Sequence, residues 1–378
     1  MTDPQTAAPN LFQPLRLGRL ELDNRIVVAP MCQYSAEDGS ATDWHMVHLG
    51  HLALSGAGLV ITEATAVTPE GRISARDLGL YSDANEAALA RVLDAIRAHA
   101  PIPVTVQLAH AGRKGSSLPP WAGGRQVAPD AEGGYTTVAP SALAHGEDET
   151  PPEALDADGL ARLRDSFADA ARRAARIGVD GIEIHMAHGY LLHQFLSPLA
   201  NHREDAYGGS LDNRVRFPLE VFEAVRSAFP ADRPVWVRVS ATDWVEGGWD
   251  VESTIVLAHA LEVLGAAAIH VSSGGISPKQ QIRVSPGYQV DFAAAVKAAT
   301  GLSTIAVGLI TEPRQAEEII ATGQADAVAL ARAMLYNPRW PWHAAAELGA
   351  KVAAPKQYWR SQPREHADLF RDIAYGQR

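Results

Sequence analysis

The chain of 378 residues is long enough to bury a substantial core, either as one large domain or as two ordinary ones. Its 47% hydrophobic and 20% charged residues are typical of a soluble globular protein, and its formal net charge of −11 argues against a nucleic-acid-binding surface. The single cysteine, Cys32, excludes an intramolecular disulfide and a cysteine-ligated metal site within one chain.

No targeting or membrane segment is predicted. The first residues lack the basic and then apolar pattern of a signal peptide. No apolar run reaches the ~18 residues that a membrane helix needs. We therefore expect a cytoplasmic enzyme with no membrane or nucleic-acid partner.

Apolar, β-branched runs predict eight strands, and helical patterns lie between them. The strands are predicted at residues 25–30, 58–66, 102–108, 179–185, 235–240, 267–272, 303–307 and 325–330. The helices are predicted at residues 44–55, 85–99, 155–177, 214–228, 251–264, 290–299, 312–322 and 340–348. Strands that alternate with helices imply parallel pairing, and eight units favour an α/β fold of the (β/α)8 TIM-barrel type over an open doubly wound sheet.

Residues 1–378 are interpreted as one domain with two additions. Residues 111–152 are rich in Gly, Pro and polar side chains and follow strand three, where a barrel keeps its chemistry. They are either a disordered surface insertion or, as we prefer, a lid or wall over an active site. Residues 351–378 form a C-terminal tail.

The end of strand four carries His185, His188 and Tyr190 within six positions. Two imidazoles at this spacing can point their N–H groups at one oxygen, with a phenol close by to supply a proton, and Gly189 is expected to loosen the backbone between them. Alternatively, the histidines only satisfy backbone carbonyls. No nearby cysteine or regular carboxylate spacing completes a metal site.

In a barrel, the carboxyl ends of the strands converge on one mouth. The remaining strand ends carry polar or Gly-rich residues: Pro30 to Tyr34, Glu63 with Ala64, Gln107 with His110, Arg238, Ser272 to Gly275, Gly308, and Arg332. Loops after strands seven and eight often hold a phosphate, so the pattern predicts a phosphorylated planar cofactor. Gln107 can form hydrogen bonds with both a donor and an acceptor on the ring of such a cofactor, and Arg238 can stabilise an anion that develops on that ring. Alternatively, both close buried polar networks, and Cys32 is ordinary packing.

At these residues the chain resembles the Old Yellow Enzyme family, the FMN-dependent ene-reductases, over nearly its whole length. The matching motifs are PMCQY, EATAVTPEGR, QLAHAGR, HMAHGYLLHQFLSPLANHREDAYGGSLDNR, RVS, AVGLIT and KQYWR. The pair Cys32 and Tyr34 is similar to the bacterial branch that contains the YqjM-like and xenobiotic-reductase enzymes.

The resemblance implies a role for each site residue. FMN would contact Pro30, Met31, Cys32, Ala64, Gln107, Arg238, Gly308, Ala331 and Arg332. Cys32 would lie near the reactive nitrogen of the flavin and tune its redox potential. His185 and His188 would bind the carbonyl or nitro oxygen of the substrate with help from Tyr34, and Tyr190 would donate the proton. In the implied mechanism, NADPH passes hydride to FMN, which then passes hydride to the β-carbon of an activated alkene.

The tail would complete the site of a neighbouring subunit. By the same resemblance, Arg360 would reach into the neighbouring subunit's site and Trp359 would line the substrate pocket, which predicts a homodimer or homotetramer. Alternatively, these residues belong to a surface tail with an exposed aromatic side chain. Two positions depart from the family, since Ala29 replaces a common Ser or Thr and Ala331 replaces a common Gly. Two other functions stay open here: a flavin barrel that reduces another substrate class, and a non-catalytic barrel that binds a phosphorylated ligand.

Overall fold

The computed structural model describes residues 8–374, and its centre is a closed barrel of eight parallel strands. The barrel strands are, in chain order, Ile26–Val28, Leu59–Ala66, Val104–Ala109, Ile182–Met186, Val235–Ser240, Ala268–Ser272, Ser303–Ala306 and Ala327–Leu330. Consecutive strands pair, and the eighth pairs with the first, so the barrel has no free edge. The predicted (β/α)8 fold and all eight predicted strands are confirmed.

Helices surround the barrel where the sequence predicts them. They span Asp43–Ala53, Asp83–Arg97, Ala157–Arg176, Leu211–Ala228, Val251–Val263, Val290–Ala299, Pro313–Ala321 and Trp340–Leu348. Side chains of Ser82, Asp156, Ser210 and Asp250 accept a backbone N–H at the start of four of them, which fixes where those helices begin. Two short helices, Leu191–Leu196 and Arg332–Tyr336, escaped prediction because neither is long enough to show a helical period.

A hairpin of Leu15–Leu17 and Leu20–Leu22 covers the amino-terminal end of the barrel. Its Leu17 and Leu22 are buried and pack with apolar residues of the barrel interior. The sequence shows only a polar lead-in here, because three-residue strands carry too little alternation to be recognised. The hairpin leaves the carboxyl-terminal end as the open mouth.

The barrel interior changes from apolar to polar toward that mouth. Its lower part holds Leu59, Ile61 and Ile305. Above them, strands three to six contribute Gln107, Glu183, Arg238 and His270, which are all buried. Strand register brings Gln107 beside Glu183 and His185 beside Arg238. A buried polar layer of this kind marks a site rather than a core.

Residues 111–152 contain the turns Gly112–Lys114 and Pro120–Ala122 and a short strand, Val138–Ala139, that pairs with Glu153–Ala154. The tail contains one further turn, Lys356–Ser361. Whether the first segment acts as an active-site insertion stays a prediction. Among residues 8–374, no helix combines the length and apolar character that crossing a membrane requires.

Candidate active site

Three aromatic rings meet at the end of strand four. The rings of His185 and His188 lie edge to face with 5.1 Å between their centroids, and those of His185 and Tyr190 do so at 5.0 Å. His185 is buried, while His188 and Tyr190 are half-buried. The structure therefore brings the predicted substrate-binding histidines and the predicted proton donor together.

The backbone between these rings is held rather than loose, which corrects the expectation for Gly189. His188 and Gly189 both have left-handed backbones, with φ of 58° and 75°. The His188 N–H donates to Ser240 Oγ at 2.9 Å, and Lys114 Nζ donates to the His188 carbonyl at 2.8 Å. A Cβ on Gly189 would meet the Gly275 carbonyl oxygen at 2.0 Å, so glycine is required for close packing of two loops.

A buried pair beneath this turn was missed by sequence reasoning. His193 Nδ1 accepts the Gly189 N–H at 2.9 Å, and His193 Nε2 lies 2.9 Å from Asp243 Oδ1. Asp243 also accepts from Ser197 Oγ at 2.6 Å and from the Trp249 N–H at 2.7 Å. Burial raises the pKa of Asp243, but His193 and these hydrogen bonds outweigh it and lower the pKa below its ordinary value. The ionised carboxylate therefore orients the imidazole that supports the turn.

Burial decides the protonation of the three rings. It lowers the pKa of His185 and of His188 well below the usual histidine value, and the charge of Arg238 acts in the same direction. It raises the pKa of Tyr190 well above that of a free phenol. At neutral pH the cluster thus holds two neutral imidazoles and a protonated phenol.

Neighbouring groups define which imidazole nitrogen is free. The Ala187 N–H donates to His185 Nδ1 at 3.2 Å, so the ring proton of His185 is on Nε2 and is available to a ligand. His188 Nε2 is 2.8 Å from Ser272 Oγ. Nδ1 is therefore the His188 nitrogen that remains for another partner.

The far side of the mouth has the shape and donors of an anion site. A cavity of about 180 Å³ is lined by Arg238, Gly308, Thr311, Ala331 and Arg332, among others. Gly308 has a φ of 125°, and a Cβ there would lie 2.8 Å from Gln289 Nε2. Within residues 8–374, the buried Nε of Arg238 has no hydrogen-bond partner. Buried polar groups are usually paired, so this atom is expected to bind a ligand.

The loop after strand one carries Cys32 and Tyr34, which are half-buried with Pro30 and Met31 beside them. Glu63 holds this loop, because its Oε2 accepts the Gln33 N–H at 2.9 Å. Burial raises the pKa of the Cys32 thiol well above its usual value, and nearby carboxylates add to this effect. Cys32 is therefore a neutral thiol. The next strand brings Ala64 to the rim, where it is buried.

Residues 111–152 contact this mouth from three sides. Arg113 Nη2 donates to the Ile276 carbonyl at 2.8 Å, and Lys114 Nζ also donates to the Gly275 carbonyl at 3.0 Å. The ring of Trp121 lies 5.5 Å from that of Tyr34. The segment thus joins the loops after strands one, four and six, a contact pattern that residue composition did not reveal.

Trp359 and Arg360 lie away from the mouth of their own barrel. Trp359 Nε1 donates to the Ala354 carbonyl at 3.1 Å, and Arg360 is exposed. Residues 353–355 line a cavity with Gly58 and Pro103, which stand at the amino-terminal ends of strands two and three. The action of these two side chains in a neighbouring subunit stays a prediction.

Comparison with known proteins identifies the family. Residues 10–350 match the model of the NADH:flavin oxidoreductase / NADH oxidase family. The chain belongs to this family. NADPH dehydrogenases from Geobacillus thermodenitrificans and Listeria innocua are each 43% identical to it, over 93% of this chain and 98% of theirs. Morphinone reductase, solved in complex with tetrahydroNAD, is 29% identical with a TM-score of 0.74, over 98% of this chain and 99% of that one.

These matches confirm the resemblance to the Old Yellow Enzyme family, and the protein is a flavin-dependent oxidoreductase. The mouth fits the flavin that the family implies. It offers Arg238, whose Nε has no hydrogen-bond partner among residues 8–374, the amide of Gln107, and a cavity lined by Gly308, Ala331 and Arg332.

Proposed function

We propose that this flavoenzyme is an FMN-dependent, NADPH-oxidising ene-reductase that reduces the C=C bond of α,β-unsaturated carbonyl or nitro compounds. The supporting observation is the cluster of two neutral imidazoles and a protonated phenol at the mouth of the barrel. Such a cluster binds an uncharged oxygen and supplies one proton, which is what reduction of an activated alkene requires.

FMN, when bound, would carry the hydride between the two substrates. His185 Nε2–H would donate to the carbonyl or nitro oxygen, and His188 Nδ1–H would do the same in the tautomer whose Nε2 accepts from the Ser272 hydroxyl. These two donors would draw electron density from the β-carbon and stabilise the enolate-like transition state. Tyr34 would assist in binding that oxygen. Tyr190 would give its proton to the carbon next to the activating group, because burial keeps its phenol protonated at neutral pH.

The geometry of the mouth supports a set of proposed cofactor contacts. Arg238 would neutralise negative charge on the reduced ring, and the cavity around Gly308, Ala331 and Arg332 would hold the phosphate. The ring would rest against the loop of Pro30, Met31 and Cys32, with Gln107 and Ala64 at its edge. NADPH is proposed as hydride donor because the bacterial relatives carry that name.

The experiment separates the two half-reactions. The flavin of the purified enzyme is bleached with NADPH under anaerobic conditions, and 2-cyclohexenone is then added. Return of the oxidised flavin spectrum supports the proposal, and NADH in place of NADPH tests the donor. A bleached flavin that 2-cyclohexenone, maleimides and nitroalkenes all leave reduced would overturn it and favour another substrate class.

A further inference from the structure

A fully buried carboxylate, that of Glu183, lies in the polar layer of the barrel interior, beneath the mouth. The mechanism proposed above gives it no role. Glu183 Oε1 accepts from Gln107 Nε2 at 2.6 Å, while its Oε2 accepts from Trp236 Nε1 at 2.8 Å and from His270 Nδ1 at 2.8 Å. Glu183, Trp236 and His270 have no exposed surface, and Gln107 is 1% exposed. Donors on strands three, five and six therefore converge on one carboxylate on strand four.

This carboxylate accepts hydrogen bonds only. Burial raises its pKa, but the contacts with His270 and Trp236 and the charge of Arg238 outweigh burial and lower the pKa of Glu183 to about 2. The carboxyl group is then ionised at neutral pH, so neither oxygen has a proton to donate.

An acceptor of this kind allows Gln107 only one orientation. The amide of Gln107 must turn its NH2 group to Glu183, because its carbonyl oxygen would be repelled there. Its Oε1 and its second N–H are then left for other partners. The pyrimidine edge of a flavin carries an N–H flanked by carbonyl oxygens, which is the complement of one acceptor and one donor.

We propose that Glu183 is a positioning residue that locks the Gln107 amide in the orientation that accepts the flavin N3–H. This inference rests on the proposed binding of FMN at the mouth. Without the lock, the amide has two orientations of similar energy, and one of them presents only donors to the ring. Trp236 and His270 hold the carboxylate in place from the other side.

Glu183→Gln is the direct test, because it keeps the shape of the side chain but replaces an acceptor-only carboxylate with an amide that can donate to Gln107. The oxygen of the new amide is needed by Trp236 and His270, so its NH2 group faces Gln107 and forces that amide to flip. We expect FMN to bind to the apoprotein about tenfold more weakly. We also expect N3–H of the bound flavin to lose its proton at a lower pH, followed by visible absorption during alkaline titration.

A double-mutant cycle with Gln107→Leu shows whether the effect passes through Gln107. In that background, Glu183→Gln should weaken FMN binding no more than about twofold further. Trp236→Phe is the matched control, since it removes a hydrogen bond to the same carboxylate but keeps the contact with Gln107. We expect a clearly smaller loss of affinity and a smaller change in the N3–H titration than Glu183→Gln gives, because His270 still holds the carboxylate.

Two results would overturn the inference: a Glu183→Gln enzyme with wild-type affinity and titration, or equal losses in Glu183→Gln and Trp236→Phe. If Glu183→Gln does not fold, Glu183→Asp is the substitute, because it keeps the charge but withdraws it from Gln107. Its FMN affinity should be lower than that of wild type. Wild-type affinity in that variant would count against the inference. Wild-type enzyme that binds FMN but reduces no alkene would instead contradict the proposed function alone.

Discussion

The ring of His185 packs edge to face against the ring of Tyr190, with 5.0 Å between the two centroids. Burial lowers the pKa of His185 well below the usual histidine value, and it raises the pKa of Tyr190 well above the usual phenol value. Neither group changes its charge near neutral pH, so the pair can bind an oxygen and give up a proton without prior titration.

Reoxidation of the reduced enzyme by an alkene should therefore be independent of pH between about 6 and 9. Tyr190→Phe should slow this half-reaction about 100-fold or more, because it removes the general acid. Stopped-flow measurement of flavin reoxidation across this range checks both statements. An apparent pKa inside the range for wild type would contradict the assignment of protonation states.

His185→Ala and His188→Ala should each slow alkene reduction about 100-fold or more, as expected for losing a donor to a developing oxyanion. Flavin content and NADPH oxidation should remain largely intact. Ser272→Ala serves as a control, since it retains both imidazoles and removes the hydroxyl that contacts His188 Nε2 at 2.8 Å and Gln289 Oε1 at 3.4 Å. We expect it to produce a smaller loss in the same half-reaction. Equal slowing of both half-reactions would mean that the histidines hold the fold or the nicotinamide.

The thiol of Cys32 should react slowly with iodoacetamide at neutral pH, because its raised pKa leaves little thiolate. We expect alkylation at least about tenfold slower than that of the same protein unfolded in denaturant. Since Cys32 is the only cysteine, the mass of the intact protein reports this site directly. Rapid alkylation of the native protein would show that Cys32 is a thiolate.

His110 should make the fold sensitive to acid. Burial lowers its pKa to about 3, against about 6.5 in an unfolded chain, and its Nδ1 accepts the Gly112 N–H at 3.0 Å. The unfolded chain thus binds more protons between these two values, so the free energy of unfolding falls as the pH falls through this window. The contribution is up to about 1.4 kcal/mol per pH unit.

His110→Asn retains an acceptor for Gly112 but cannot be protonated. Its melting temperature should therefore fall less steeply than that of wild type when the pH is lowered from about 6.5 toward 3. Parallel curves for the two proteins would exclude His110 as a source of acid sensitivity.

Arg360→Ala tests whether the tail completes a neighbouring site. We expect unchanged flavin content and melting temperature with a KM for the alkene raised about tenfold, as for a lost hydrogen bond to a charged group. Deletion from Lys356 should likewise weaken substrate handling without loss of flavin. The deletion is a less specific test, because Trp342 packs against Tyr358 and Phe370 and would be uncovered. An unchanged KM in Arg360→Ala would argue that the site lies within one subunit.

The sequence alone was sufficient to determine the architecture. Runs of β-branched residues alternate with helical patterns eight times, and the common closed fold with eight such units is the (β/α)8 barrel. It also determined which residues gather at the mouth, because every parallel strand ends on the same rim. The structure accordingly pairs His185 with Arg238 and places Arg238 and Gly308 around one cavity.

Only the tertiary structure decided how these groups are charged and held. Burial sets the pKa of His185 and Tyr190, and burial depends on neighbours that are distant in sequence. The support of Gly189 by His193 and Asp243, and the convergence of Gln107 on Glu183, join different strands and loops through side-chain hydrogen bonds. Such contacts leave no periodic signal in the chain, because they depend on the register and twist of the closed barrel.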